Sequence, residues 1–98
     1  MTQAQATAPM LSFESRPRVG NGFRLQWEPV QNCHVLLYPE GMVKLNQSGG
    51  EIMSRCDGRR SVTAIAEELE AAFGAPDLGD DVLGFITVAG QQRWLTWD

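Results

Sequence analysis

The stretch Phe23–Asn46, FRLQWEPVQNCHVLLYPEGMVKLN, decides how this chain folds. Phe23, Leu25 and Trp27 alternate with Arg24, Gln26 and Glu28, the period of a strand with one covered face. Glu28-Pro29 breaks the run. Cys33–Tyr38 is apolar in both parities, which predicts a strand covered on both faces. Tyr38-Pro39-Glu40-Gly41 is a tight turn, since proline presets φ at its first corner and glycine takes the positive φ that closes it. Met42–Asn46 is short and strand-like. The stretch therefore predicts a three-stranded antiparallel meander with Cys33–Tyr38 in the middle. Its third strand, 42–46, presents an unpaired edge unless something covers it.

C-terminal to this stretch the period changes to that of helices. Ser48-Gly49-Gly50-Glu51 fits a capping box, followed by an apolar face of Ile52, Met53 and Cys56 and a stop at Asp57-Gly58. Ser61 caps a second helix, whose stripe is Val62, Ile65, Ala66, Leu69 and Phe73, with Gly74 and Pro76 ending it. A third helix starts near Asp77–Asp81, where carboxylates suit the positive end of a helix dipole, and its core stripe is Val82, Phe85, Ile86 and Ala89. Trp94, Leu95 and Trp97 form a closing extended segment. The predicted class is α+β, a three-stranded antiparallel meander followed by three short helices, winged-helix-like. On the other side, residues 1–22 lack periodicity and end in Gly20-Asn21-Gly22, which predicts a flexible N-terminal tail ahead of a domain over 23–98. Within that tail Met10, Leu11 and Phe13 are apolar enough to dock on a partner or a second subunit.

Composition narrows the function. The chain has 98 residues and a net charge of −4, consistent with one domain. Eight of its twelve acidic residues fall between Glu51 and Asp81, against Arg55, Arg59 and Arg60 there. Duplex binding needs clustered Lys and Arg, so a nucleic-acid-binding winged helix is a rival reading that this half of the chain opposes. A purely structural subunit, its 42–46 edge sealed by a dimer partner or by the tail, is the other rival. Cys33 and Cys56 form no CxxC pair, and the one histidine is His34, so neither a zinc site nor a metal cofactor is expected. Cys33 and His34 are strand neighbours and point to opposite faces, which excludes a nucleophile–base pair. Glu67, Glu68 and Glu70 are a solvated helix face, Asp80-Asp81 a helix start, and no glycine-rich phosphate loop occurs. With no signal-like N-terminus and no membrane-length apolar run, a non-enzymatic cytoplasmic binding module is expected.

A second stripe on the third helix, Leu83, Thr87 and Gly90, flanks its core stripe. Gly84 and Gly90 leave room for a chain lying alongside. An open strand edge is a template for β-augmentation, in which main-chain bonds give affinity and side-chain pockets give register.

The combination of Arg24-Leu25-Gln26-Trp27, Val35–Gly41, Val43-Lys44-Leu45-Asn46, Glu51-Ile52, Cys56-Asp57-Gly58, the Val62–Leu69 helix, Asp81-Val82, Phe85-Ile86 and Trp94-Leu95 resembles the pyrroloquinoline quinone (PQQ) biosynthesis protein D (PqqD) family. The resemblance spans about residues 17–95, and the LLYPEG turn with its downstream L-N and C-D-G is specific in combination. Gly49 departs from the family, which usually carries a small helix former such as alanine there. The resemblance implies a peptide-recognition domain of ribosomally made peptide natural products. Its members bind the precursor peptide PqqA and present it to the radical S-adenosylmethionine enzyme PqqE, which crosslinks a Glu and a Tyr. The iron–sulfur clusters belong to that enzyme, so the recognition domain needs no cofactor of its own. It also implies a peptide strand beside the third strand, in a groove walled by the third helix. The expected contacts are thus Met42, Val43, Lys44, Leu45 and Asn46 with Leu83, Ile86, Thr87 and Gly90, on a monomer or homodimer.

Overall fold

The structure, a computed structural model, describes residues 10–98. Strands β1 (Arg18–Val19), β2 (Arg24–Glu28), β3 (Cys33–Tyr38) and β4 (Gly41–Lys44) precede helices α1 (Gln47–Ser54), α2 (Val62–Phe73) and α3 (Gly79–Gln91), and β5 (Leu95–Thr96) closes the chain. The architecture is α+β. The predicted meander is present as the antiparallel sheet β2-β3-β4, with Leu25 opposite Leu36 and Leu36 opposite Val43. That row faces the helices, and Leu36 is completely buried among Met53, Val62, Ile65, Val82, Ile86 and Leu95. On the other face Val35 is 2% exposed, so the central strand is covered on both sides, as its unbroken apolar run predicts.

The first helix begins differently from the expected capping box. Asn46, extended at φ −71° and ψ 174°, is the N-cap, and its Oδ1 accepts from the Gly49 amide at 2.8 Å. Ser48 is already inside the helix. The shift follows from where β4 ends: Leu45 still donates to His34 of β3, at 3.0 Å, so the next residue is the first free to cap. The two glycines that weaken this helix on propensity are required by packing. A Cβ on Gly50 would lie 2.8 Å from His34 Nδ1, and one on Gly49 would lie 3.1 Å from the Phe85 ring. Gly49 thus lets α1 close against α3 and Gly50 lets it close against the sheet.

Helix α2 matches its sequence signals. Ser61 Oγ accepts from the Ala64 amide at 3.1 Å, and Gly74 ends the helix in the left-handed region at φ 62°. Helix α3 carries Asp80 and Asp81 in its first turn and has no side-chain N-cap.

The expected tail over 1–22 needs correction from residue 11 onward; residues 1–9 lie outside the described residues. Pro17 is fully buried, Leu11 packs on the core, and β1 pairs antiparallel with β5 through Arg18 opposite Thr96 and Val19 opposite Leu95. The segment also completes α2: the carbonyls of Ser15 and Phe13 accept from the Val62 and Thr63 amides, each at 3.0 Å. These are amides at a helix start, which have no intrahelical acceptor. Order here comes from distant partners, so it leaves no local period in the sequence. Among the described residues no helix is long and apolar enough to cross a membrane.

Candidate functional site

The exposed edge of β4 is built by hydrogen-bond alternation. Because Leu45 donates its amide to His34 and Leu36 stands opposite Val43, the Val43 main chain is turned inward to β3. Met42 and Lys44 are then the residues whose N–H and C=O face the open edge. Their side chains lie on the outer face of the sheet, with Met42 50% exposed and Lys44 also exposed. Val43 points the other way, half-buried on the core.

Leu83 and Thr87, four residues apart, share a face of α3. Leu83 is half-buried on the core and Thr87 is exposed, its hydroxyl donating to the Leu83 carbonyl at 2.8 Å. Val43, Leu83 and Phe85 each pack against the core cluster.

Of the expected contact residues, two are buried, one is filled by the chain's own C-terminal segment and one is exposed with a side-chain oxygen engaged. Ile86 is completely buried and Leu45 is 7% exposed, because both point into the core. Asn46 is exposed, but its carboxamide oxygen is committed to capping α1. Gly90 leaves no free notch. A Cβ there would run into the Trp97 ring, so its smallness accommodates the chain's own C-terminal segment.

The reactive side chains are quiet. His34 stands edge-on to Trp27, ring centroids 5.0 Å apart, with Gly50 beneath it. Cys56 is buried, donates to the Ile52 carbonyl at 3.2 Å, and has its pKa pushed up to about 12 by burial and then by the neighbouring Asp57 charge. It is therefore a neutral thiol at physiological pH. Among the described residues no group of three or more His, Cys, Asp or Glu side chains is placed to hold a metal. The acidic helical half is tied together by ion pairs. Arg55 meets Glu51 at 2.7 Å and Glu68 at 3.2 Å, while Arg60 meets Asp57 at 2.9 Å and also Glu68.

One surface feature is not foreseen from sequence. A recess of about 410 Å³ opens between the three helices, floored by Ile52, Leu69 and Leu78 and flanked by Phe73. The stripe of α2 assigns Phe73 to the core, yet it is 51% exposed, because it sits in the last turn, just before the helix stops at Gly74.

Comparison with known proteins places this geometry. Residues 33–95, more than half of the chain, match the family model described as Coenzyme PQQ synthesis protein D (PqqD). A "PqqA binding protein" of Pseudomonas aeruginosa is 53% identical over 85 residues, covering 86% of this chain and 92% of that protein. Another protein of that name, from Azotobacter vinelandii, is 52% identical over 80 residues, covering 81% and 87%. The solution NMR structure of the PqqD truncation of Methylobacterium extorquens PqqCD, described as a functional and stand-alone recognition element for ribosomally synthesized and post-translationally modified peptides (RiPPs), superposes with a TM-score of 0.72. That match has 32% identity and covers 88% of this chain and 94% of the other. On the family match and on the extent of these similarities, the chain belongs to the PqqD family.

Proposed function

We propose that this protein is a peptide chaperone of PQQ biosynthesis that binds PqqA as an added strand on β4 and presents it to PqqE. The observation that carries this reading is the open β4 edge, with the main-chain groups of Met42 and Lys44 facing outward, in a chain similar to PqqA binding proteins. Strand addition uses such groups for affinity. The visiting strand lies along Met42–Lys44, with Leu83 and Thr87 of α3 beside it. Leu45 and Ile86 belong to the core on which β4 and α3 pack. The protein holds the peptide, and the bond-forming chemistry belongs to the enzyme that receives it. One added strand is a small interface and the free peptide must be ordered, so affinity is expected around micromolar, near about −8 kcal/mol.

Titrating labelled protein with synthetic PqqA tests this. Proline at an outward-facing strand position removes a donor offered to the visitor while leaving the β3 pairing intact. Met42→Pro and Lys44→Pro are expected to stay folded and to bind at least ten-fold more weakly. Folded variants that bind as tightly as the parent would exclude the β4 edge. Presentation is read separately: PqqE should crosslink PqqA faster in the presence of the parent protein than in the presence of these variants.

A further inference from the structure

The recess between α1, α2 and α3 is lined by no residue of β4 and by neither Leu83 nor Thr87. We propose that it docks a short amphipathic segment of another protein, one that carries apolar anchor side chains flanked by Lys or Arg. Two observations define this occupant. The first is shape and polarity. At about 410 Å³ the recess falls within the ~300–1,000 Å³ typical of pockets that take a ligand or anchor side chains. Ile52 and Leu69 are buried at its floor, Leu78 is half-buried, and Phe73 stands beside them with half its surface in solvent. An exposed aromatic next to an apolar recess is the composition of an interface centre.

The second observation is charge. The lining contains Glu51 and Asp81 and no cation. Glu51 is already paired with Arg55 at 2.7 Å, whereas no ion pair among the described residues engages Asp81. With Glu51 paired, the Asp81 carboxylate is the charge left beside the apolar floor, and it favours a basic segment over an acidic one. It also argues against occupants from this chain. Residues 1–9, MTQAQATAP, contain no Lys or Arg. A second copy offers no basic helix face, since α1, α2 and α3 contain no Lys or Arg and Arg55 only caps α1.

The test uses the full chain with methyl and amide NMR. The probes are two synthetic 14-residue peptides with identical Leu and Phe spacing, one flanked by Lys and one by Glu. The Lys-flanked peptide is expected to shift Ile52, Leu69 and Leu78 and the Glu-flanked peptide to leave them unmoved. Phe73→Ser and Asp81→Asn should each weaken the Lys-flanked peptide at least five-fold while leaving PqqA affinity unchanged. That last readout separates this proposal from the strand-addition reading. Equal binding of both peptides, shifts confined to the β4 edge, or undiminished affinity in both variants would overturn it. So would Overhauser contacts from residues 1–9 to the Ile52 and Leu69 methyls, or concentration-dependent shifts there in the free protein, which would assign the recess to the chain itself or to a second copy.

Discussion

Asp57 holds the turn between α1 and α2 with one carboxylate: Oδ1 accepts from the Arg59 and Arg60 amides at 2.8 and 3.0 Å, and Oδ2 meets the Arg60 guanidinium at 2.9 Å. The Arg60 amide first, then the Arg59 amide and the Arg60 charge, hold its pKa below the usual carboxylate value. A depressed folded-state pKa means that the unfolded chain takes up the proton first on acidification. The contribution is therefore complete above the ordinary unfolded value of about 4 and is lost as pH falls through the lower folded one. Asp57→Asn should flatten the acid limb of a stability-versus-pH curve below about pH 4, which denaturant melts across pH 2–6 would show. The sequence marks this residue only as a helix stop. Its capping of two amides follows from the path of the turn. Glycines give the sharper residue-scale contrast. Gly50→Ala places a methyl within 2.8 Å of His34 Nδ1, whereas a Cβ on Gly84 has nothing within 4 Å. Chemical denaturation should find Gly50→Ala destabilising by about 1–3 kcal/mol, as overpacking does. Gly84→Ala should stabilise by about 0.5–1 kcal/mol, its helix-propensity gain.

At the scale of elements, the N-terminal segment departs most from its sequence. Its residues show neither period, yet β1 pairs with β5, Pro17 is buried, and two carbonyls cap α2. Removing residues 1–22 would strip β5 of its partner strand and leave the Val62 and Thr63 amides without these acceptors. The truncated protein is expected to melt at least 10 °C below the parent, because losing a few kcal/mol moves the midpoint by roughly 4–8 °C per kcal/mol in a domain of this size. A melting curve unchanged by the truncation would show that this segment contributes nothing to stability. By contrast the bounds of α2 were legible, from its Ser61 cap to its Gly74 stop, because cap and stop are local signals; of its stripe only Phe73, in the last turn, fell outside the core. Helix α1 was legible in existence but not in its start, since that depends on where β4 releases the chain.

Over the whole molecule, charge divides the surface. Acidic residues crowd the helical half, and Lys44 is the cation on the outward-facing edge of β4. In the strand-addition reading Lys44→Glu should weaken PqqA binding by a few-fold at low salt. That loss should shrink as ionic strength rises, since exposed charges are screened within about 10 Å at 0.1 M; calorimetric titration at two salt concentrations checks it. A loss that ignored salt would point to packing by the lysine stem instead. Of the expected site, the sequence by itself determined the open strand after the LLYPEG turn and the face shared by Leu83 and Thr87, because strand parity and helix period are set by neighbouring residues. The same local signals determined the meander and the three helices. Only the tertiary structure decided that Ile86 and Leu45 are buried in the core, that Gly90 is filled by Trp97, and that residues 11–22 belong to the body. It alone decided that three helices leave a recess beside Phe73. Each of these depends on side chains distant in sequence meeting in space, and neither a period of two nor one of 3.6 records such a meeting.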